Sequence, residues 1–242
     1  MSVAADLKIL YHLAFAPVRG QTHAARLDSF YRGQAARYDA FRRRLLPDRG
    51  ELVRLLDLPE GGVWVDMGGG TGANLEFAAD RLTGLSRAYV VDLCAPLLEI
   101  ARGRIHNNRW TNVEAVAADA TSFTPPEPVD VVTFSYSLTM IPDWFEAIDH
   151  AARLLKPGGL IGVVDFYVSR KHKEPGRDHH GWLTRSLLPL WFGADNVFLS
   201  GDHLAYLTQR FQPIALAERR TSIPYLPLVR APYYLFLGRK EP

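Results

Sequence analysis

Five apolar runs pace this chain, at 62–67, 87–93, 113–119, 128–135 and 160–167. Helix-like segments near 74–82, 95–106 and 143–156 separate them. Strands that alternate with helices in this way call for a parallel sheet covered by helices on both faces. Lys156-Pro157-Gly158-Gly159 predicts a helix stop and a tight turn before the fifth strand. Farther on, 213–220 and 232–240 predict two more strands that extend the sheet, the last of them inserted antiparallel.

Two stretches fall outside this rhythm. In the first, Leu7, Leu10, Tyr11, Ala14 and Phe15 form a helical stripe widened by Ile9 and Leu13. A second helix follows, with Leu27, Phe30, Tyr31, Gln34, Tyr38, Phe41 and Leu45 on one face. The chain therefore divides into an N-terminal helical arm at 1–57 and a domain at 58–242. The second stretch, 168–201, is rich in basic and aromatic residues: Arg170, Lys171, Lys173, Trp182, Arg185, Trp191 and Phe192. Its place after the fifth strand predicts a lid over the carboxyl edge of the sheet, where ligands of such sheets sit.

The first run ends in Asp66-Met67-Gly68-Gly69-Gly70-Thr71-Gly72-Ala73-Asn74. Glycines here can take positive φ and let a ligand approach bare backbone, and the helix behind them offers free N–H groups to an anion. Such a loop predicts a nucleotide-type cofactor. A loose G-x-G-x-x-G pattern is weak evidence by itself, but Asp66 sharpens it. A carboxylate at this point repels a pyrophosphate, whereas it neutralises the ammonium of S-adenosylmethionine. Asp92 ends the second run and is spaced to accept both hydroxyl hydrogens of a ribose. Asp119 ends the third and can hold an adenine amino group. The plainer alternative makes Asp92 and Asp119 mere caps of strand ends.

Composition narrows the setting. The chain is 48% hydrophobic and 22% charged, ordinary for a soluble globule, and its 242 residues suffice for one large domain or a domain with an appendage. A net charge of +2 gives no case for nucleic acid. No apolar run approaches the ~20 residues that span a bilayer, and no cleavable signal pattern is present. The single cysteine, Cys94, excludes an internal disulfide and makes a cytoplasmic setting the expectation; it reads as a small buried hydrophobe beside the cofactor. The scattered histidines show no metal-ligand spacing.

Several phrases are more specific. They are Phe30-Tyr31-Arg32-Gly33-Gln34-Ala35-Ala36-Arg37-Tyr38-Asp39, Phe134-Ser135-Tyr136-Ser137-Leu138-Thr139-Met140-Ile141-Pro142-Asp143-Trp144-Phe145, Val163-Val164-Asp165-Phe166-Tyr167-Val168-Ser169-Arg170-Lys171, Asp195-Asn196-Val197-Phe198-Leu199 and Arg230-Ala231-Pro232-Tyr233-Tyr234. Together they resemble the N-methyltransferases of betaine-lipid synthesis, within the class I S-adenosylmethionine-dependent methyltransferases. The resemblance implies an α/β fold, a Rossmann-like three-layer sandwich around a seven-stranded, mostly parallel sheet whose last strand is antiparallel. It implies S-adenosylmethionine as cofactor and successive methylation of diacylglyceryl-homoserine to diacylglyceryl-trimethylhomoserine. A lipid substrate at the membrane surface follows, as does a separate 3-amino-3-carboxypropyl transferase, the functional partner that makes the head group. The residues alone reach only methyltransferase. Another amine lipid, such as phosphatidylethanolamine, and a non-catalytic cofactor-binding scaffold are the alternatives; intact Asp66, Asp92, Asp119 and glycines speak against the scaffold.

The expected cofactor contacts are Tyr38, Asp66, Gly68, Gly69, Gly70, Gly72, Asn74, Asp92, Leu93, Asp119, Ala120, Ser135 and Tyr136. Methyl transfer to an amine is an in-line displacement in which the protein mainly positions the reactants. The methylated product is a fixed cation, which aromatic faces tolerate well; Tyr31, Tyr38, Tyr136, Trp144 and Tyr167 are expected around the amine. Tyr31, Gln34 and Tyr38 share a helical face and predict a lid over the methionine end. No residue stands out as general base. Asp143, Asp165 and His203 are the candidates, although Asp143 reads rather as a helix cap and His203 as a surface residue. The helix at 1–20 and the 168–192 segment, through its basic cluster and Trp182, Leu187, Leu188 and Trp191, are expected to dock on the bilayer.

Overall fold

The computed structural model describes residues 45–194, 196–223 and 226–241. Seven strands form one sheet in the order β3-β2-β1-β4-β5-β7-β6. These are β1 (Val63–Met67), β2 (Arg87–Asp92), β3 (Val113–Ala117), β4 (Val129–Ser135), β5 (Leu155–Phe166), β6 (Gln212–Ile223) and β7 (Leu226–Arg239). The first five are parallel, and β7 runs antiparallel between β5 and β6. The antiparallel insertion expected from the sequence is therefore present.

The central strand shows why helices cover both faces. Side chains alternate across a strand, and all five residues of β1 are buried. Val63, Val65 and Met67 join a core with Ala147, Ile148 and Ala151 of α4 (Trp144–Leu154) and Leu204 and Leu207 of α6 (His203–Arg210). Trp64 points the other way, into a core with Val53 of α1 (Arg49–Leu55), Leu82 of α2 (Ala79–Leu82), and Leu98 and Ala101 of α3 (Ala95–Asn108). The result is a three-layer α/β sandwich of the class I methyltransferase type.

Three elements differ in detail from expectation. The segment expected as a helix over 74–82 starts as a 3-10 turn, Ala73–Ala78, before α2. Lys156-Pro157-Gly158-Gly159 does not separate helix from strand. It lies inside β5 as an irregularity between Val129 and Val131 of the partner strand. The backbone explains this: Gly158 N–H donates to Lys240 and Lys240 N–H donates to Gly159, so the turn is held against the end of β7. Finally, α1 belongs by sequence to the arm, yet Leu52 and Leu56 lie against Gly162 of β5, at 3.1 and 2.9 Å from where a Cβ would stand. The arm upstream, with Tyr31, Gln34, Tyr38 and the helix expected at 1–20, lies outside the described residues.

Candidate active site

A cleft of about 700 Å³, counting its open mouth, lies at the carboxyl edge of the sheet. Gly68, Val91, Asp92, Leu93, Asp119, Ala120, Tyr136 and Ser137 line it, together with Met140, Ile141, Pro142 and Asp143. The strand order reverses between β2 and β4 across β1, which is where open α/β sheets hold ligands.

Gly68 is where the chain must turn beside the cleft. Its φ is +65°, and a Cβ there would collide with Ser137 Cβ. Ser137 is itself fixed, its hydroxyl donating to the Met67 carbonyl at 2.9 Å. Asp92 ties the loop to the next strand. One carboxylate oxygen accepts the Gly70 N–H at 2.9 Å and the other accepts the Cys94 N–H at 2.8 Å, while the residue faces the cleft. Asp119 accepts from the Thr121 N–H and hydroxyl at 2.8 and 2.7 Å, which closes a turn at the rim. Both acids thus cap backbone turns, as the plainer alternative has it, and both also line the cleft.

Asp66 takes a different place. It is 1% exposed and lies beneath the glycine loop. Its carboxylate accepts from Asn74 Nδ2 at 2.9 Å and from the Thr133 hydroxyl at 2.6 Å. Thr133 in turn accepts from the Trp64 indole at 2.9 Å. Buried Arg49 donates to Asn74 Oδ1 at 3.0 Å and to the Ser135 hydroxyl at 3.3 Å. Burial raises the Asp66 carboxyl to about 6, against the pull of Thr133, Asn74 and Arg49. Asp66, Asn74 and Ser135 therefore form a polar floor under the loop rather than part of the cleft lining, and Gly69, Gly70 and Gly72 are buried while Gly68 lines the cleft.

Tyr136 has an unusual backbone, with φ +55° for a non-glycine residue. Its N–H donates to the Val164 carbonyl at 2.7 Å, and its ring packs on Phe166 at 4.8 Å. Strain of this kind tends to gather at functional sites.

Of the other expected aromatics, Trp144 and Tyr167 are among the described residues, and neither lines the cleft. Trp144 turns toward α6, with its ring 4.7 Å from His203 and 5.7 Å from Tyr206. Tyr167 donates to Glu218 at 2.7 Å and lines a second, polar hollow of about 350 Å³ with Arg170, Glu174 and Arg177. Two of the three acid–base candidates are also displaced. Asp165 is fully buried and accepts from the Thr139 hydroxyl at 2.8 Å. His203 is not a surface residue but 0% exposed, and burial lowers it to about 4. Asp143 stands at the N-terminus of α4 without a side-chain cap bond, and it lines the cleft.

Comparison with known proteins agrees with this geometry. A model described as a methyltransferase domain matches residues 38–211. The chain belongs to that methyltransferase-domain family. A ubiquinone/menaquinone biosynthesis C-methyltransferase UbiE of Hydrogenovibrio crunogenus is 29% identical over 116 residues, 47% of this chain and 46% of that protein. A 2-phytyl-1,4-naphtoquinone methyltransferase of Thermosynechococcus vestitus is 31% identical over 115 residues, 47% of this chain and 50% of that protein. The chain thus spans about half the length of these relatives. Among solved structures, a Haemonchus contortus phosphoethanolamine N-methyltransferase 2 in complex with S-adenosyl-L-methionine superposes with a TM-score of 0.67 at 15% identity, covering 89% of this chain and 60% of that one. This methyltransferase domain shares its fold with that enzyme.

Sequence reasoning named Asp143 but missed Arg49, Thr133, Ser137 and Met140, Ile141 and Pro142 of the wall. Ser137 and the wall lie inside a phrase already singled out. Arg49 gave no signal, because nothing in its neighbourhood marks an arginine as buried.

Proposed function

We propose that the protein is an S-adenosylmethionine-dependent N-methyltransferase that successively methylates the amine of diacylglyceryl-homoserine to diacylglyceryl-trimethylhomoserine. The methyl donor is S-adenosylmethionine. One observation carries the choice of an amine: the lining of the cleft holds three carboxylates, Asp92, Asp119 and Asp143, and no Lys, Arg or His among its described residues. That field favours cations, and both a sulfonium donor and an ammonium substrate are cations.

The residues suit the donor. Asp92 and Asp119 both line the cleft, and we assign them the ribose diol and the adenine amino group respectively. The bare backbone at Gly68 lets a ligand approach closely. The Asp66 floor holds the glycine loop in shape from below. When bound, the donor supplies a methyl group on a positively charged sulfur. The chain's own work is then to orient the amine and take its proton. Asp143 is the carboxylate free of cap bonding at the open end, so it is assigned the proton. The Tyr136 ring offers an apolar face to the growing quaternary cation. Leu93, Leu97, Met140, Ile141 and Pro142 exclude water from the reacting pair. A lipid amine requires the protein to work at a membrane surface, and its head group is supplied by a separate 3-amino-3-carboxypropyl transferase. No helix among the described residues is long and apolar enough to cross a membrane.

Likeness to the C-methyltransferases favours a second reading, methylation of carbon on a quinol ring. Such a nucleophile gains from nearby positive charge, which the described lining residues do not offer. Transfer of radiolabelled methyl groups, with diacylglyceryl-homoserine, phosphatidylethanolamine and a demethylated quinol offered in parallel, tests the proposal. Label in trimethylated diacylglyceryl-homoserine is the expected result. Label confined to phosphatidylethanolamine moves the assignment to another amine lipid. Label confined to the quinol establishes the second reading, and no label in any product supports a binding scaffold.

A further inference from the structure

The helix α5 (Trp182–Gly193) presents two different faces. Leu188 is buried, and Trp191 and Phe192 pack into the core around Phe166, with Phe192 and Phe166 rings 5.2 Å apart. The inward face thus absorbs Leu188 and Trp191, which the sequence had assigned to the bilayer. The opposite face is apolar and bare. Trp182 is 69% exposed, Leu183 62%, Leu187 55% and Leu190 75%. Leu183, Leu187 and Leu190 follow at i, i+4 and i+7, so they form one stripe. Phe198, just beyond, is 59% exposed. Single exposed apolar residues need no explanation, but a contiguous row of large ones marks an interaction surface.

Two features say what covers it. The first is charge. Arg185 is the one charged residue in α5, and the segment leading into it carries Arg170, Lys171, Lys173 and Arg177 against Glu174 and Asp178. Arg170 is engaged by Asp202 and Glu174, whereas Lys171 and Lys173 are exposed. An apolar helix face beside surplus basic side chains matches the headgroup boundary of an anionic bilayer, and an exposed tryptophan at the start of the helix suits that boundary. The second is position. Val197 N–H donates to the Phe192 carbonyl at 3.1 Å, and Phe198 N–H donates to the Thr139 carbonyl at 2.7 Å. Thr139 precedes Met140, which walls the cleft. The segment that carries Phe198 is therefore tied through its backbone to the residue next to the cleft wall.

We infer that Trp182, Leu183, Leu187, Leu190 and Phe198 form the face that seats this protein on an anionic membrane, with Lys171 and Lys173 meeting the headgroups. The inference deepens the lipid-amine reading of the cleft and rests on it for the reason a membrane is the partner. On the bilayer, the backbone bond from Phe198 to Thr139 holds this face to the segment that carries Met140 and Asp143 of the cleft.

The test is flotation of the full chain with phosphatidylcholine vesicles, alone or mixed with phosphatidylglycerol. The wild type is expected to float with the mixed vesicles and less well as salt rises. Leu187→Glu/Leu190→Glu should lower the bound partition at least about tenfold, and Lys171→Gln/Lys173→Gln should abolish the preference for phosphatidylglycerol. Both variants change exposed side chains, and circular dichroism and calorimetric binding of S-adenosylhomocysteine should match the wild type. Quenching by brominated lipid, present in the wild type and reduced in Trp182→Phe, locates the contact independently. A wild type that stays unbound, or a leucine variant that floats like it, overturns the inference. So does a wild-type dimer on a sizing column that the leucine variant dissolves, which assigns the face to a second copy. Methylation in detergent micelles separates the two readings. If it persists without flotation, only the membrane face falls; if flotation holds without methylation of any amine lipid, only the substrate assignment falls.

Discussion

The hydroxyl of Tyr136 donates to the carbonyl of Pro47 at 2.9 Å. The bond joins the cleft to the chain just before α1, 89 residues away in sequence. It also pins a tyrosine whose backbone is in the left-handed region. Tyr136→Phe removes this donor from the Pro47 carbonyl. Denaturant unfolding is expected to show a loss of about 1–2 kcal/mol. A wild-type midpoint in this variant refutes the role given to the bond.

Asp92 holds two backbone N–H groups and faces the cleft. Asp92→Ala is expected to weaken S-adenosylhomocysteine binding about 10–100-fold, the scale of lost charge-assisted hydrogen bonds. Asp92→Asn should fall between the two. Titration calorimetry on samples with native circular dichroism decides the matter, and unchanged affinity removes Asp92 from the binding site.

Gly68→Ala places a Cβ against Ser137 and holds alanine at φ +65°. A cost above about 2 kcal/mol is expected, from collision and backbone strain together. Adding Ser137→Gly removes the struck atom and should recover part of the loss, leaving the backbone component. A double-mutant cycle with zero coupling would show that the close approach has no energetic weight.

His203 is buried with neither ring nitrogen hydrogen-bonded among the described residues, and its folded value is about 4 against an ordinary 6.5. Between those values the unfolded chain takes up a proton that the folded chain refuses. Stability is therefore undiminished above 6.5 and is lost as pH falls toward 4. His203→Leu removes this sensitivity. Thermal midpoints recorded across the window should fall less steeply in the variant than in the wild type; parallel curves would exclude His203 as a source of the acid sensitivity.

Asp165 carries the opposite sign. Burial raises it to about 7 from 3.8, while Thr139 and the Phe166 N–H pull it down. The unfolded chain releases this proton first, so the contribution is present below 3.8 and is lost as pH rises toward 7. Asp165→Asn cannot ionise, and its stability relative to the wild type should climb across that window. A constant difference would show that the carboxyl ionises normally in the fold.

Which parts of this were legible in the sequence has a physical explanation. The inner strands are buried on both faces, so they read as apolar runs, and the glycine loop needs special backbone geometry that only its composition supplies. Asp92 and Asp119 stand at strand ends, a position the runs themselves mark. Asp66 was recognised as a special acid, but its hydrogen bonds to Asn74 and Thr133 depend on β4 lying beside β1, which spacing along the chain does not reveal. The same holds for Trp144 and His203. Each is unremarkable locally, and they meet only because α6 packs on α4. Lys156-Pro157-Gly158-Gly159 has the composition of a turn and was expected as a break, yet pairing with the end of β7 keeps it in the sheet.

The place of β7 has a bearing on how the molecule is made. It follows β6 in the chain but lies between β5 and β6 in the sheet. As the polypeptide leaves the ribosome, β5 must wait with a bare row of N–H and C=O groups until the later strand arrives, and β6 has nothing to join. Such an unsatisfied rim is a template for wrong pairing. Nascent chains halted before β7 should accordingly depend on chaperones, although the chain through β5 already carries the glycine loop with Asp66, Asp92, Asp119 and Asp143.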